Sequence, residues 1–220
     1  MRATIAGGVV KGCDVVELIM VRHALPVRRE LLSGAADPEV SEAGRAQAEL
    51  LGDYLATEEL QAIYASPMLR ARQTASPLAL RVGLDVTIID GVAEFDQHAS
   101  EYIPVEELRA TNDPRWQQMV NGDWLDGPES RDAFITRVIE SLDALVRTHP
   151  GIKIAVVCHG GVINAYLAHV LGLAPGSQFF YPNYTSIHRV VASSRGHRQI
   201  VSVNESFHLR GSGLPIGLYS

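Results

Sequence analysis

Apolar residues in this chain occur in two patterns, as short continuous runs and as longer segments with helical spacing. The continuous runs predict buried strands, and two of them end in a histidine: residues 17–22 lead into His23 and residues 152–158 lead into His159. The other predicted strands lie at 62–65, 85–89, 186–192 and 199–203. Helical spacing predicts helices after Ser41, from Ser66, over 130–147 and over 162–171.

The order of these elements predicts the fold. Strands that alternate with helices, followed by a terminal hairpin, are typical of a mainly parallel sheet with helices on both faces and an antiparallel edge. We therefore expect an α/β protein, a three-layer α/β/α sandwich, with a single domain over 15–220. Residues 96–130 contain several prolines and tryptophans without sustained apolar periodicity, and are predicted to form an inserted lid. Residues 1–14 are predicted to be a flexible N-terminal extension.

Composition narrows the classes of function. With 220 residues and 46% hydrophobic content, the chain can bury a core without a disulfide or a metal. Its net charge of −6 argues against a general nucleic-acid or membrane-surface binder. Cys13 and Cys158 have neither a disulfide framework nor metal-ligand spacing, and no apolar run is long enough to span a membrane. We expect a cytoplasmic protein without metal, cofactor, nucleic-acid or membrane partner, and a homodimer is left open.

The two histidines are the strongest candidates for chemistry. The carboxyl ends of parallel strands are where open α/β folds place their functional groups, and His23 and His159 both follow predicted strands directly. One Arg-His pair after an apolar run is weak evidence, since strands often end in polar residues. A second histidine in the same context strengthens it, although a buried core histidine stays the alternative for His159.

Four motifs occur in the order and sequence contexts of a known family. They are Arg22-His23, residues 66–75 with Arg70, Glu94 and His159-Gly160. In this order they resemble the histidine phosphatase superfamily, which includes the cofactor-dependent phosphoglycerate mutases. The resemblance spans most of the chain, because segments around 129–138, 183–187 and 204–209 also resemble later family segments. It implies a phosphoglycerate mutase-like fold.

The resemblance also implies roles for individual residues. His23 would attack phosphorus and become a phosphohistidine, which splits hydrolysis into transfer to the enzyme and transfer to water. Arg22 and Arg70 would clamp the phosphate, because a planar guanidinium offers several directed donors to phosphate oxygens. His159 would bind the equatorial oxygens during transfer. Glu94 would protonate the departing alcohol and later accept a proton from water.

The chain departs from the family pattern directly after the nucleophile. Many members continue Arg-His with Gly-Glu-Thr and then Asn, whereas this chain has Ala24, then Leu-Pro-Val and Arg28-Arg29. Arg28 or Arg29 would replace the missing phosphate contacts and favour a more anionic substrate; a solvated pair of loop arginines is the equal alternative. Gly160 keeps the family pattern and would allow the backbone to approach the substrate closely.

These expectations lead to one leading function and two alternatives. The leading function is a metal-independent, histidine acid phosphatase-like phosphomonoesterase that hydrolyses a small organic phosphate through phospho-His23. A phosphoprotein substrate stays open if the lid is open. A phosphoglycerate mutase is less expected, because the paired arginines and longer insert of the bisphosphoglycerate-dependent mutases are absent. The other alternative is a non-catalytic module that binds a phosphorylated ligand without turnover.

Overall fold

The apolar runs form strands and the segments with helical spacing form helices in the computed structural model, which describes residues 14–121 and 128–218. The strands are β1 (Val15–Arg22), β2 (Arg29–Glu30), β3 (Ala62–Ala65), β4 (Val86–Ile88), β5 (Glu101–Tyr102), β6 (Lys153–Cys158), β7 (Ile187–Ser193) and β8 (Arg198–Glu205). The helices are α1 (Glu42–Leu55), α2 (Leu69–Val82), α3 (Val105–Ala110), α4 (Pro114–Asn121), α5 (Arg131–Thr148) and α6 (Gly160–Leu171), with short 3₁₀ helices at Asp90–Val92 and Phe207–Leu209.

Six of the strands form one sheet in the order β4-β3-β6-β1-β7-β8. β1 is parallel to β6 and antiparallel to β7, β3 is parallel to both β4 and β6, and β7 forms a hairpin with β8. The predicted mainly parallel sheet with an antiparallel edge is therefore confirmed. This order places the carboxyl ends of β1 and β6 side by side in the interior of the sheet.

Helices cover both faces of the sheet, as the side chains of β1 show. Leu18 and Met20 enter a core with α5 and α6, whereas Ile19 and Val21 enter a second core with α1 and α2. Such alternation is expected because successive side chains of a strand point to opposite faces. The predicted three-layer α/β/α arrangement is confirmed.

Two helices begin two or three residues away from their predicted starts. α2 begins at Leu69 rather than at Ser66, and the Leu69 amide donates to the carboxylate of Asp37 (2.9 Å). α6 begins at Gly160, two residues earlier than predicted, directly after His159 in an extended conformation. Ser66 and His159 therefore both lie at the junction of a strand with a helix, where their side chains can face each other.

The segment 96–130, predicted to be an inserted lid, contains β5, α3 and α4. β5 pairs with β2 in a separate two-stranded sheet, with Tyr102 opposite Arg29. The insert is thereby attached to the segment that follows His23. Trp124 and the rest of 122–127 lie outside the described residues, as do residues 1–13 of the predicted N-terminal extension.

Candidate active site

The two predicted histidines meet at one edge of the sheet. In the parallel pair of β1 and β6, Arg22 lies opposite Cys158, so His23 and His159 follow at the same level. The His23 amide donates to the Cys158 carbonyl (2.9 Å), and the two imidazole ring centroids are 5.1 Å apart. Both side chains are buried. The structure thus brings these residues together within a single site.

Hydrogen bonding fixes the orientation of the His23 imidazole. Its Nδ1 lies 2.8 Å from the carbonyl oxygen of Ala24, and because a carbonyl oxygen can only accept, Nδ1 carries the proton. The lone pair is then on Nε2. Burial, together with the charges of Arg70 and Arg22, holds the pKa of His23 well below its usual value. The ring is therefore neutral near pH 7 and chemically able to act as a nucleophile.

The residues after His23 are held by the two helices on one face of the sheet. The Ala24 amide donates to Oγ1 of Thr74 in α2 (2.9 Å), and the Leu25 amide donates to Oε1 of Gln47 in α1 (2.8 Å). Because the Ala24 carbonyl orients the imidazole, these bonds also position His23. The buried side chain of Ala24 fits where many family members have glycine.

Two buried arginines lie beside His23 with unused donors. Arg70 is 1% exposed and donates from Nη2 to Asp96 (2.8 Å), while its Nε and Nη1 have no hydrogen-bond partner among the described residues. Arg22 donates from Nη1 to the Pro182 carbonyl (2.6 Å) and from Nη2 to the Tyr181 hydroxyl (3.1 Å), while its Nε likewise has no partner in the described part of the chain. Buried charged donors without an acceptor are costly. The arrangement is suited to an anion that brings its own acceptor oxygens.

Tyrosine rings surround the two guanidinium groups. Cζ of Arg22 lies 4.1 Å from the ring centroid of Tyr184 and 4.9 Å from that of Tyr181. Cζ of Arg70 lies 4.7 Å from the ring centroid of Tyr102. A cation over an aromatic face is stabilised without using its N–H donors. These contacts hold both arginines in place and leave their free donors available.

Glu94 is buried beside the first turn of α6. Its Oε2 accepts a hydrogen bond from the Gly161 amide (2.8 Å), and its Oε1 accepts one from the Phe95 amide (3.2 Å). Burial, reinforced by the nearby Asp96 carboxylate, raises the pKa of Glu94 to about 7 in spite of these hydrogen bonds. A carboxyl group with this pKa can both give and accept a proton near neutral pH.

His159 lies next to His23 and is oriented by Ser66. Oγ of Ser66 accepts from the Met68 amide (3.3 Å) and lies 2.7 Å from Nε2 of His159, a contact in which the hydroxyl can either donate or accept. Nδ1 of His159 is buried and has no hydrogen-bond partner among the described residues. Burial and the charge of Arg70 hold the pKa of His159 well below its usual value, so the ring is neutral.

A cavity of about 240 Å³ extends from these groups to the insert. The predicted site residues that line it are Arg22, His23, Arg70, Glu94 and Gly160. His159 is adjacent to His23 but does not line the cavity. We call Arg22, His23 and Arg70 the basic end of the cavity. The insert contributes the lid wall, which is formed by Tyr102, Ile103, Val105, Leu108 and Met119.

Arg28 and Arg29 are not among the described residues that line the cavity, and this placement favours the alternative of a solvated pair of loop arginines over contact with phosphate. Arg28 pairs with Glu30 (2.6 Å) and with Glu107 of α3 (3.2 Å), and Arg29 pairs with Glu39. Their charges are therefore already balanced by carboxylates at the protein surface. The physical reason is the pairing of β2 with β5, which places this segment against the insert rather than against His23.

Several residues that position the site have no distinct signal in the sequence. Asp96 stands out only as one of several carboxylates near Glu94, and Ser66 only as the start of a helix. Tyr102 and Tyr184 reach the arginines through the insert and through the segment before β7, and no local pattern reveals such contacts.

The described residues contain no candidate metal site and no candidate membrane-spanning helix. No group of three or more His, Cys, Asp or Glu side chains in residues 14–121 and 128–218 is arranged to hold a metal ion. No helix within those ranges is both long and apolar enough to cross a membrane. Cys158, at the end of β6, is a buried free thiol.

A neutral buried histidine beside two arginines with unused donors defines an anion-binding pocket at the strand ends of an α/β fold. The family described as the histidine phosphatase superfamily (branch 1) matches residues 18–206. The chain therefore belongs to the histidine phosphatase superfamily, as the motifs predict.

The proteins similar to this chain include a phosphatase and a probable phosphoglycerate mutase. Phosphoserine phosphatase 1 from Hydrogenobacter thermophilus is 29% identical over 202 residues, which cover 89% of this chain and 95% of that protein. A probable phosphoglycerate mutase, GpmB from Yersinia enterocolitica, is 26% identical over 74% of this chain and 79% of that protein. A solved phosphoserine phosphatase from Entamoeba histolytica, in complex with 3-phosphoglyceric acid, has a TM-score of 0.70 at 24% identity and covers 88% of this chain and 99% of that chain. This likeness confirms the phosphoglycerate mutase-like fold.

Proposed function

We propose that this chain hydrolyses phosphomonoesters through a phosphohistidine formed on His23. The observation that carries the proposal is the basic end of the cavity, where the Nε2 lone pair of neutral His23 lies beside unbound N–H donors of Arg22 and Arg70. A phosphomonoester carries about −1.5 to −2 charges near pH 7 and has three acceptor oxygens. It supplies both the charge and the acceptors that these donors lack.

In the first step, Nε2 of His23 attacks phosphorus in line with the ester oxygen. The P–N bond forms as the P–O ester bond breaks, and the electron pair leaves with the ester oxygen. Glu94, protonated at and below about pH 7, gives its proton to that oxygen, so the alcohol departs neutral. The donors of Arg22 and Arg70 stabilise the charge on the other phosphoryl oxygens. His159, whose ring centroid lies 5.1 Å from that of His23 just behind the cavity wall, adds a further donor when Nδ1 carries its imidazole proton.

In the second step, a water molecule attacks phosphorus from the side that the alcohol has left. Glu94 is now a carboxylate and accepts a proton from this water. The new P–O bond forms as the P–N bond breaks, and the electron pair returns to Nε2 of His23. Inorganic phosphate departs and Glu94 is protonated again, so the enzyme is restored.

The named relatives support hydrolysis of a small phosphorylated molecule. Phosphoserine phosphatase 1 is similar over almost the whole chain, and its name describes a phosphatase. The 3-phosphoglyceric acid bound by the Entamoeba histolytica phosphatase is also a small phosphorylated compound. In size, a cavity of about 240 Å³ suits a small phosphorylated ligand.

The test is release of inorganic phosphate from phenyl phosphate, with a chelator present, by the wild type and by His23→Ala. We expect the variant to lose more than about 10³-fold in kcat, because the nucleophile is removed. With phosphorus-labelled substrate, the wild type denatured in alkali should retain acid-labile label and the variant should not. Equal activity of the two proteins would exclude His23 as the nucleophile.

The same assay separates the two alternatives. A mutase would move the phosphoryl group between the hydroxyls of phosphoglycerate and release little free phosphate, and the relative named as a probable mutase makes this measurement necessary. A binding module would release no phosphate and would form no labelled intermediate. The single domain over 15–220, the cytoplasmic location and the homodimer stay predictions.

A further inference from the structure

We infer that the preferred substrates are monoesters of bulky, apolar, uncharged alcohols, rather than monoesters that carry a second anionic group. The inference rests on the proposed hydrolysis at His23 and concerns only the part of the substrate beyond the phosphate. It is carried by the composition of the cavity wall and by the pairing of its charges.

Apolar and aromatic side chains dominate the cavity away from its basic end. They are Phe95, Ile103, Val105, Leu108, Met119 and Phe180. Since phosphate is held at the basic end, these side chains surround the space for the alcohol part of the substrate. Removing apolar surface from water is favourable in proportion to its area. A bulky apolar alcohol therefore gains binding energy that a small polar alcohol does not.

The described lining offers no unpaired cation for a second anionic group. Apart from Arg22 and Arg70, its remaining arginine is Arg115, which donates from Nη2 to Asp113 (2.7 Å) and also pairs with Glu101. The hydrogen bonds from Arg115 lower the pKa of Asp113 to about 2, so that carboxylate stays charged. The carboxylates of Asp113 and Glu101 together carry more charge than the Arg115 guanidinium, so this group of three side chains is negative overall.

The cavity itself also contains carboxylates that would repel an anionic substituent. Asp96 and Glu101 both line it. Asp96 already forms an ion pair with Arg70, so it does not require a cationic group from the substrate. A substrate carboxylate such as that of phosphoserine or phosphoglycerate would lose its hydration here without gaining an unpaired cation.

The cavity has room for a ring as well as for phosphate. An apolar cavity of about 150 Å³ is enough to bind benzene, and this cavity measures about 240 Å³. A smaller recess of about 30 Å³ shares Phe95, Gly161, Asn164 and Gln178 with it, and its further lining is mixed, with Phe134 and Ile135 beside Arg131 and Ser177. The space for a ring is therefore the main cavity itself.

The inference is tested with three monoesters that share one primary alkyl ester group, so that leaving-group chemistry is matched. They are propyl phosphate, 3-phenylpropyl phosphate and 4-(phosphonooxy)butanoate, which adds a carboxylate to the propyl chain. We expect kcat/KM for the phenyl compound to exceed that of propyl phosphate by about 10- to 100-fold, because a ring is buried. For the carboxylate compound we expect a kcat/KM at least about 10-fold below that of propyl phosphate.

The outcomes distinguish this inference from the proposed function. If all three esters release phosphate in a manner that depends on His23, but the carboxylate compound is hydrolysed as well as the phenyl compound, only the inference is overturned. If none releases phosphate, or if His23→Ala releases it at the wild-type rate, the proposed function fails, and the inference fails with it.

A matched pair of charge variants tests whether the selectivity arises from the lid wall. Met119→Lys adds a cation to the cavity, whereas Val120→Lys adds the same charge at the neighbouring position, which is 59% exposed and does not line it. We expect Met119→Lys to reduce the phenyl-to-carboxylate ratio of kcat/KM by about 10-fold, chiefly through KM, and Val120→Lys to leave it within about twofold. Equal ratios in the two variants would contradict a role for the lid wall.

Discussion

The basic end of the cavity rests on the carboxyl end of β1 and the first turn of α2, whereas the lid wall extends from β5 through the short helices α3 and α4. At the basic end, Arg22, His23 and Arg70 are between 1% and 6% exposed. In contrast, α4 has no buried residue and α3 has one, Leu108. The two ends therefore differ in how firmly the surrounding structure fixes their side chains.

This difference assigns separate tasks to the two ends. Proton and phosphoryl transfer require atoms held to within a fraction of an ångström, which buried side chains on a sheet can provide. Recognition of an apolar group needs surface and shape more than exact placement. We expect substitutions at the basic end to reduce kcat strongly and substitutions in the insert to alter KM and selectivity.

After the loss of the nucleophile in His23→Ala, the largest effect should come from Glu94→Gln, which keeps the shape of the site and removes its titrating proton. With an alkyl phosphate, kcat should fall by about 10²- to 10⁴-fold. With 2,4-dinitrophenyl phosphate, whose leaving group needs no proton, the first step should survive and the second should fail. Rapid-quench measurement should then show one equivalent of dinitrophenolate in a burst. Slow turnover without a burst would contradict the second, basic role of Glu94.

Arg70→Lys tests whether the basic end needs the guanidinium or only its charge. Lysine keeps a cation beside Asp96 but removes the directed Nε and Nη1 donors, so kcat/KM should fall by about 10²- to 10³-fold. Arg72→Lys on the exposed side of α2 is the matched control and should stay within about twofold of the wild type. Similar losses of kcat/KM in both variants would show that the substitutions disturb the structure of α2 rather than the contacts with phosphate.

The neighbouring glycines at the start of α6 provide a finer comparison. A Cβ at Gly161 would overlap the carboxylate of Glu94, whereas a Cβ at Gly160 would meet Nε of Arg22 at an ordinary 3.8 Å. Gly161→Ala should therefore displace the acid and reduce kcat by about 10- to 100-fold, and Gly160→Ala by less than about tenfold. The ratio of the two kcat values is the measurement, and a ratio of one would contradict the placement of Glu94.

The pH dependence of kcat/KM should report the same carboxyl group. Because burial raises the pKa of Glu94 to about 7, the acid form is lost as the pH rises above that value. For an alkyl phosphate, kcat/KM should then fall about tenfold per pH unit on the alkaline side. In Glu94→Gln this limb should be absent, and its persistence there would assign it to another group.

The smallest effect should come from Arg28→Ala at the outer side of the insert. Its side chain is 48% exposed and pairs with Glu30 and Glu107, and exposed ion pairs contribute little. We expect kcat/KM for propyl phosphate to change less than about threefold. A loss of kcat/KM as large as that of Arg70→Lys would instead indicate that Arg28 contacts the phosphate.

The parts of the molecule that were predictable are those determined by local sequence. The apolar runs predict β1 and β6, and Ser41 predicts the start of α1, where its side chain accepts from the Gly44 amide. The order of the motifs predicts the family by resemblance, and the family model confirms it over residues 18–206. The adjacency of His23 and His159 follows from the parallel sheet.

The parts that were not predictable depend on contacts between distant segments. The sequence is equally compatible with Arg28 and Arg29 as phosphate ligands and as solvated loop residues. In the structure they form ion pairs with the carboxylates of Glu107 and Glu39. The pairing of Arg70 with Asp96 likewise joins α2 to the start of the insert. Such pairings are set by tertiary packing, for which a linear pattern has no signal.

The unpartnered donors of Arg22 and Arg70 have a consequence for the enzyme after turnover. Inorganic phosphate presents the same oxygens as the substrate, so the product should remain a competitor for the basic end. Its binding would also satisfy donors whose isolation weakens the fold, and a ligand that binds only the folded state raises the melting temperature. Free phosphate in the surroundings would thus slow this enzyme and protect it from heat at the same time.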